Sequence, residues 1–391
     1  MTPNVGIVLA VLAGVAFLCP IIGEWLRVPN AVVELIAGLG LGLVVPASTI
    51  ERNAFVSSLG ALGFIILMFL VGTEFDISEL WHRSRGALAA GFGLFVVSYA
   101  FSELLLGRGA GASSLWVLSG AATSVGLAAP MLYAHGGLHS RFARDVLVVG
   151  SAAEVAYLVV LNALSVSQHH GPHATTLIVA LRTSGVLVLA VATSVVIRRA
   201  RSRLPRHFHR WFRRDDPIEL GLRGTFALLF IFVAMSTALR IPDVIGALVA
   251  GIIFRTVIGN AKVILERMTS FANSFFIPFF FLSVGMKTNI SPSVGHLLPL
   301  IALALAALAI PKVLVGAFAR WRGASWRESA AASVMLMAPL TLLISTAEIG
   351  TSRGIVSQQT AAAIVLTATI SSLIFPVIAK FLLPPRESIS S

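Results

Sequence analysis

The chain has 391 residues, 57% of them hydrophobic and 12% charged, with a mean hydropathy of +0.91 and a formal net charge of +12. A soluble domain carries about twice that charged fraction, so the composition excludes one and points to an all-α polytopic membrane protein. The short alternating segments of a membrane β-barrel are absent from the sequence.

Apolar runs of about 17–25 residues are long enough to cross a bilayer as helices. In chain order, about thirteen are expected, at 4–23, 30–46, 58–76, 86–106, 114–135, 145–165, 175–197, 218–238, 243–259, 270–288, 298–319, 327–348 and 358–382. Span 1 has no basic residue before it and is expected to be a retained helix rather than a signal peptide. It holds the lone cysteine, Cys19, which has no intrachain partner for a disulfide.

Span 2 is announced by LRVPNAVVELIAGLGLG from Leu26, and the chain repeats itself as LRIPDVIGALVAGIIFR from Leu239, 213 residues later. Leu26, Arg27, Pro29, Leu35, Ala37 and Gly38 recur as Leu239, Arg240, Pro242, Leu248, Ala250 and Gly251. The offset holds through Val71, Gly72, Ile77 and Ser78, which recur as Val284, Gly285, Ile290 and Ser291. Spans 1–6 thus map onto spans 8–13, and span 7 is left over. A single linker helix inverts the second copy, and two inverted six-helix repeats are the signature of a secondary transporter. The expected organisation is residues 1–165 as the first repeat, 166–217 as linker helix and basic loop, and 218–391 as the second repeat with a short tail.

The basic residues test this arrangement. Of the 29 Lys and Arg residues, 22 fall in the loops and ends on one side of the thirteen spans and five on the other. Positive loops stay in the cytoplasm, so the N-terminus is expected outside and the C-terminus inside. Eight of the 22 are the arginines between 198 and 214, read as a topology determinant near anionic lipid rather than a nucleic-acid site.

Span 5 reads SSLWVLSGAATSVGLAAPMLYAHG and span 12 reads RESAAASVMLMAPLTLLISTAEIG. Each carries a mid-span proline, Pro130 or Pro339, which removes a backbone donor and breaks the helix. Span 5 adds Gly120 and Gly126 beside Thr123 and Ser124. Broken helices crossing near the midplane expose carbonyls and helix ends suited to a desolvated cation. Two ionisable residues lie deepest, Glu154 in span 6 and Lys312 in span 11. A charge at that depth is costly and needs a partner or a water-filled path, which marks both as functional candidates. Arg182 and Glu103 are read as structural or snorkelling, and Glu34 and Glu348 as helix-end residues. His169, His170 and His173 form a loop expected to be solvated rather than metal-bound. Nucleotide-binding and serine-nucleophile motifs are missing, no cofactor is expected, and the chain is read as a gradient-driven transporter rather than an enzyme.

LRVPNAVVELIAGLGLG, LGFIILMFLVGTEFDISEL, AATSVG at Ala121–Gly126 and FFIPFFFLSVGMKTNI, in that order over residues 5–382, resemble the bacterial monovalent cation:proton antiporters. That superfamily includes the sodium/proton antiporters and the potassium-efflux proteins. The resemblance implies a six-helix core domain with two crossed broken helices, moving against a dimerisation domain in a homodimer. It also implies exchange of Na⁺ or K⁺ for protons in the inner membrane of a bacterium. Its ion site would be Glu154, Thr123 and Ser124, the ligands of a monovalent cation, with Lys312 as charge partner and Pro130, Pro339 and Gly126 breaking the crossed helices. The chain departs from the family at Ala153, where a polar residue usually precedes the carboxylate, and at MAPLTLL, where some branches carry Arg-Gly-Glu. Without a second carboxylate, Lys312 is expected to pair with Glu154, a carbonyl or water, and a one-for-one electroneutral exchange is the favoured expectation. A sodium-coupled symporter of a small organic anion, or a membrane component that has lost its ion site, are the alternative readings.

Overall fold

The structure is a computed structural model that describes residues 5–26, 28–44, 54–74, 85–107, 113–125, 128, 131–132, 141–167, 219–239, 243–258, 262–288 and 294–383. Every regular element among them is helical. Nine helical stretches among the described residues are long and apolar enough to cross a membrane, and Asn30–Leu43 is a shorter apolar one. The expected span 7, the arginine loop, the histidine loop, Gly126 and Pro130 lie outside the described residues.

The chain divides into two compact units that are interleaved in sequence. Unit one comprises Met1–Leu26, Val33–Ser78 and Val166–Lys287, and unit two comprises Arg27–Val32, Glu79–Ser165 and Thr288–Ser391.

Unit one contains α1 (Val5–Leu26), most of α2 (Asn30–Val44), α3 (Ala54–Glu74), α7 (Leu220–Ala238), α8 (Asp243–Ile258), α9 (Lys262–Phe271) and α10 (Ile277–Lys287). A π turn at Ala272–Phe276 joins α9 to α10. α3 packs against α8 and α10, and α7 against α8. Leu12, Val56, Leu59, Phe279, Leu282 and Met286 form a buried cluster, and Phe64 stacks on Phe280 with centroids 4.8 Å apart.

Glycine sets how closely these helices approach. A Cβ on Gly72 would collide with the Leu248 carbonyl, and one on Gly251 with that of Phe69. Shifted by 213 residues, the same description holds for Gly285 against the Leu35 carbonyl and Gly38 against that of Leu282. Small residues let membrane helices touch backbone to backbone, where dispersion and close packing replace the missing hydrophobic drive. Contacts that exchange under a constant offset are what a twofold relation between two segments produces. Gly63 meets the carbonyl of Phe276, its own counterpart at that offset, as a residue on such an axis would.

Unit two contains α4 (Arg85–Leu106), α5 (Ser114–Gly120), most of α6 (Arg141–Ser167), α11 (Val294–Ala309), α12 (Val313–Trp321), α13 (Trp326–Met335), α14 (Leu340–Ser352) and α15 (Gln358–Leu382). α15 packs on α11, α13 and α14, while α5 sits against α4 and α11. All the candidate ion-site residues that the structure describes belong to this unit.

Candidate functional site

The first break begins with a conventional helix start. Ser113 caps α5 by accepting the Trp116 N–H at 3.2 Å, and the helix runs only to Gly120. A Cβ at Gly120 would lie 2.7 Å from the Ala307 Cβ, so the close approach of α11 requires glycine there. After Ala121 the backbone leaves the helix, and Ala122–Val125 run without regular structure. Those residues are buried, Thr123 completely and Ser124 to 8% exposure. Irregular backbone at membrane depth is tolerated only when protein surrounds it or water lines it. Thr123 Oγ1 donates to the Ala121 carbonyl at 3.4 Å.

The second break sits at the matching place in the other half of the chain. α13 starts with a capping box, Ser325 accepting from the Glu328 N–H and the Glu328 carboxylate accepting from the Ser325 N–H. It ends at Met335, and the chain passes through Leu336–Pro339 before α14 resumes at Leu340. Pro339 has no N–H to donate and pushes Ala338 out of the helical region, so the break is local to its sequence. Offset by 213, Ala121–Val125 falls on residues 334–338, overlapping this break.

α6 brings the two breaks together. A Cβ on Gly150 would lie 2.5 Å from Val125 Cγ1 and 2.9 Å from Leu336 Cδ2, so both interruptions rest on this glycine. One turn further along α6 is Glu154, only 1% exposed. Its Oε2 accepts the Val125 N–H at 3.2 Å, a direct link between the candidate carboxylate and the first break. Carboxylate, hydroxyls and unwound carbonyls are hard oxygen ligands, the donor set that monovalent and other hard cations take.

Lys312 comes from a third interruption. Pro311 interrupts the helix, giving a 3₁₀ turn at Ile310–Lys312 between α11 and α12. The ammonium is fully buried, and it donates to Ser98 Oγ on α4 at 3.5 Å. Its hydrogen-bond partner in the structure is thus a side-chain hydroxyl. Ala153, also fully buried, supplies no charge to either group.

Ser98 was invisible in the sequence because it is a small polar residue in an apolar run, paired with a residue 214 positions away. Val125 contributes through its backbone, which no side-chain motif reports. Tyr157 and Thr346, joined by a 2.5 Å hydrogen bond across 189 positions, were missed for the same reason. The signal that was available is the stripe Gly150, Glu154, Tyr157, with a polar or small residue at each turn of one face of span 6.

A family model described as "Sodium/hydrogen exchanger, transmembrane" matches residues 13–384. The YjbQ protein of Bacillus subtilis is 28% identical over 406 aligned positions, which cover 97% of this chain. This chain spans only 63% of the length of that relative. The Na(+)/H(+)-K(+) antiporter GerN of Bacillus cereus is 26% identical over 357 positions, covering 90% of this chain and 89% of GerN. The fold is similar to that of the sodium proton antiporter MjNhaP1 from Methanocaldococcus jannaschii, with a TM-score of 0.64 at 15% identity, covering 95% of this chain and 94% of the other. With 372 consecutive positions matched by the family model, and the all-helical fold agreeing, the chain belongs to the sodium/hydrogen exchanger family.

Proposed function

We propose that this protein is a secondary active antiporter that exchanges a monovalent cation, Na⁺ or K⁺, for protons across the inner membrane of a bacterium. The observation that carries the reading is Glu154: a buried carboxylate on α6, held by the Val125 N–H, where two helix breaks meet. The relatives named as antiporters of Na⁺, K⁺ and H⁺ support it.

The chemistry follows from one carboxylate serving two ligands in turn. Deprotonated Glu154, with the Thr123 and Ser124 hydroxyls and carbonyls of the first break, provides the oxygen shell for a cation. Protonation neutralises the carboxylate and releases the cation, so the two ligands exclude one another. In either loaded form the carboxylate's charge is compensated, which lets the site-bearing unit carry its cargo between the two sides. Access then alternates between two conformations, a behaviour the inverted halves would supply. The reciprocal glycine contacts in unit one support that inverted arrangement. An N-terminus outside, a cytoplasmic C-terminus and a homodimer complete the proposal.

Lys312 is read as a fixed charge held by Ser98, leaving one cation exchanged for one proton. Proton release driven by Na⁺ or K⁺ in everted vesicles tests the function, and Glu154→Ala is expected to abolish it. Unchanged exchange in that variant would remove Glu154 from the mechanism. Clamping the membrane potential with valinomycin tests the stoichiometry, because a rate that follows the potential contradicts one-for-one exchange.

A further inference from the structure

Tyr157 follows Glu154 by three residues on α6, and the exchange chemistry above gives it no role. It is the largest of the fully buried side chains among the described residues. A phenol removed from water needs a hydrogen-bond partner, since leaving the hydroxyl unpaired is costly. The partner is Thr346 on α14, itself fully buried, with 2.5 Å between the two hydroxyl oxygens.

The direction of that bond can be worked out. The Thr346 hydroxyl has one proton, and it is directed at the Leu342 carbonyl 2.8 Å away. Tyr157 must therefore donate. The chain of bonds runs from the Tyr157 O–H to Thr346 Oγ1, and from there to the Leu342 carbonyl in the first turn of α14. That turn follows directly from the second break at Pro339.

α6 is thus tied to both breaks from positions three residues apart. Glu154 takes the Val125 N–H of the first break, and Tyr157 gives its proton to the helix leaving the second. The register continues outward, where the Arg353 guanidinium donates to the Ser165 carbonyl at 2.9 Å, 188 residues apart against 189 for the first pair. Phenylalanine would fill the same volume, so the hydroxyl is what the packing alone does not explain.

We infer that Tyr157 is a positioning residue for the ion site, acting through Thr346 to fix the Glu154 carboxylate relative to the second break. The inference rests on the antiport reading only in taking a monovalent cation as the ligand. Without the bond, the break is free to drift from the carboxylate, and the cation loses coordination while the exchange step itself is untouched.

The test uses the purified full chain and everted vesicles together. Half-saturating Na⁺ and K⁺ concentrations are measured from cation-dependent thermal stabilisation and from cation-driven proton release. Tyr157→Phe is expected to raise them about 3–10-fold, the worth of one buried hydrogen bond, with the maximal rate within about twofold of wild type. Thr346→Val is expected to match it, Thr346→Ser to stay near wild type, and the double variant Tyr157→Phe/Thr346→Val to be no worse than either single change. Unchanged half-saturation in Tyr157→Phe, or additive losses in the double variant, overturns the inference. If Tyr157→Phe does not accumulate, Thr346→Val against Thr346→Ser makes the same comparison. Should the wild type be stabilised by cations yet release no protons, the antiport reading fails and the binding curves still decide the role of Tyr157. If neither cation stabilises the wild type, positioning of an ion site is overturned as well.

Discussion

Glu154 and Lys312 are both buried ionisable groups of unit two, and the structure partners them differently. Glu154 is held by a backbone N–H, that of Val125. Glu154→Gln keeps the size of the side chain and removes its ability to ionise. Cation-driven proton release in vesicles is expected to vanish, with the unfolding temperature in detergent retained, and persistent release would show that the carrier is elsewhere. Lys312 depends on the Ser98 hydroxyl. Ser98→Ala is expected to destabilise the protein by about 1 kcal/mol, the scale of one long hydrogen bond to a charged donor. In a Lys312→Met background the same change is expected to be nearly neutral, because the group that needed the hydroxyl is gone. Equal losses in both backgrounds, read from thermal unfolding, would mean that Ser98 matters to packing and not to Lys312.

At the scale of the elements, the two breaks and the glycine beneath them form one mechanical part. Gly150 touches the ends of Val125 and Leu336 rather than backbone, so the neighbours of an added methyl have room to give. Gly150→Ala is expected to cost about 1–3 kcal/mol by overpacking and to raise the half-saturating cation concentration by displacing both breaks. Val125→Ala in the same chain is expected to restore part of both losses, since it removes the nearer obstacle, and a simple sum of the two effects would contradict the coupling. The second break was legible from the sequence because Pro339 enforces it locally. The first is expected as well, from Pro130 with Gly120 and Gly126, though not at the residue where the helix ends. Pro130 lies outside the described residues, and the helix already ends at Gly120, a position where the packing of Ser102 and Ala307 leaves no room for a Cβ. By hydropathy span 11 is continuous through Lys312, and Pro311, one residue before the buried lysine, is the sequence feature that marks its interruption. Ser98, Gly150 and Thr346 could not be paired with their partners from sequence, because hydropathy and motif spacing report neighbours along the chain and these contacts join residues far apart in it.

For the molecule as a whole, the duplication at offset 213 leads to two predictions. The crossings of Gly72 with Gly251 and of Gly285 with Gly38 place each glycine against a backbone carbonyl, which cannot move aside as a side chain can. Gly72→Ala and Gly285→Ala are therefore expected to lower thermal stability by similar amounts, despite lying in different halves of the chain. A large loss in one with none in the other would argue that the two crossings are not equivalent. The second prediction concerns orientation. The arrangement proposed from the arginine distribution puts the turn before α13 in the cytoplasm and the turn before α15 outside. Cys19 is buried and is the sole cysteine, so Cys19→Ser gives a background without reactive thiols. Arg327 and Gln359 are exposed near those two turns. In that background, Gln359→Cys is expected to react with a membrane-impermeant maleimide in intact cells, and Arg327→Cys only in everted vesicles. The reverse pattern would invert the proposed topology. Labelling of both from one side would mean that Trp326–Ser352 does not cross the membrane, and the proposed inverted repeat would then lose the span that carries its second break.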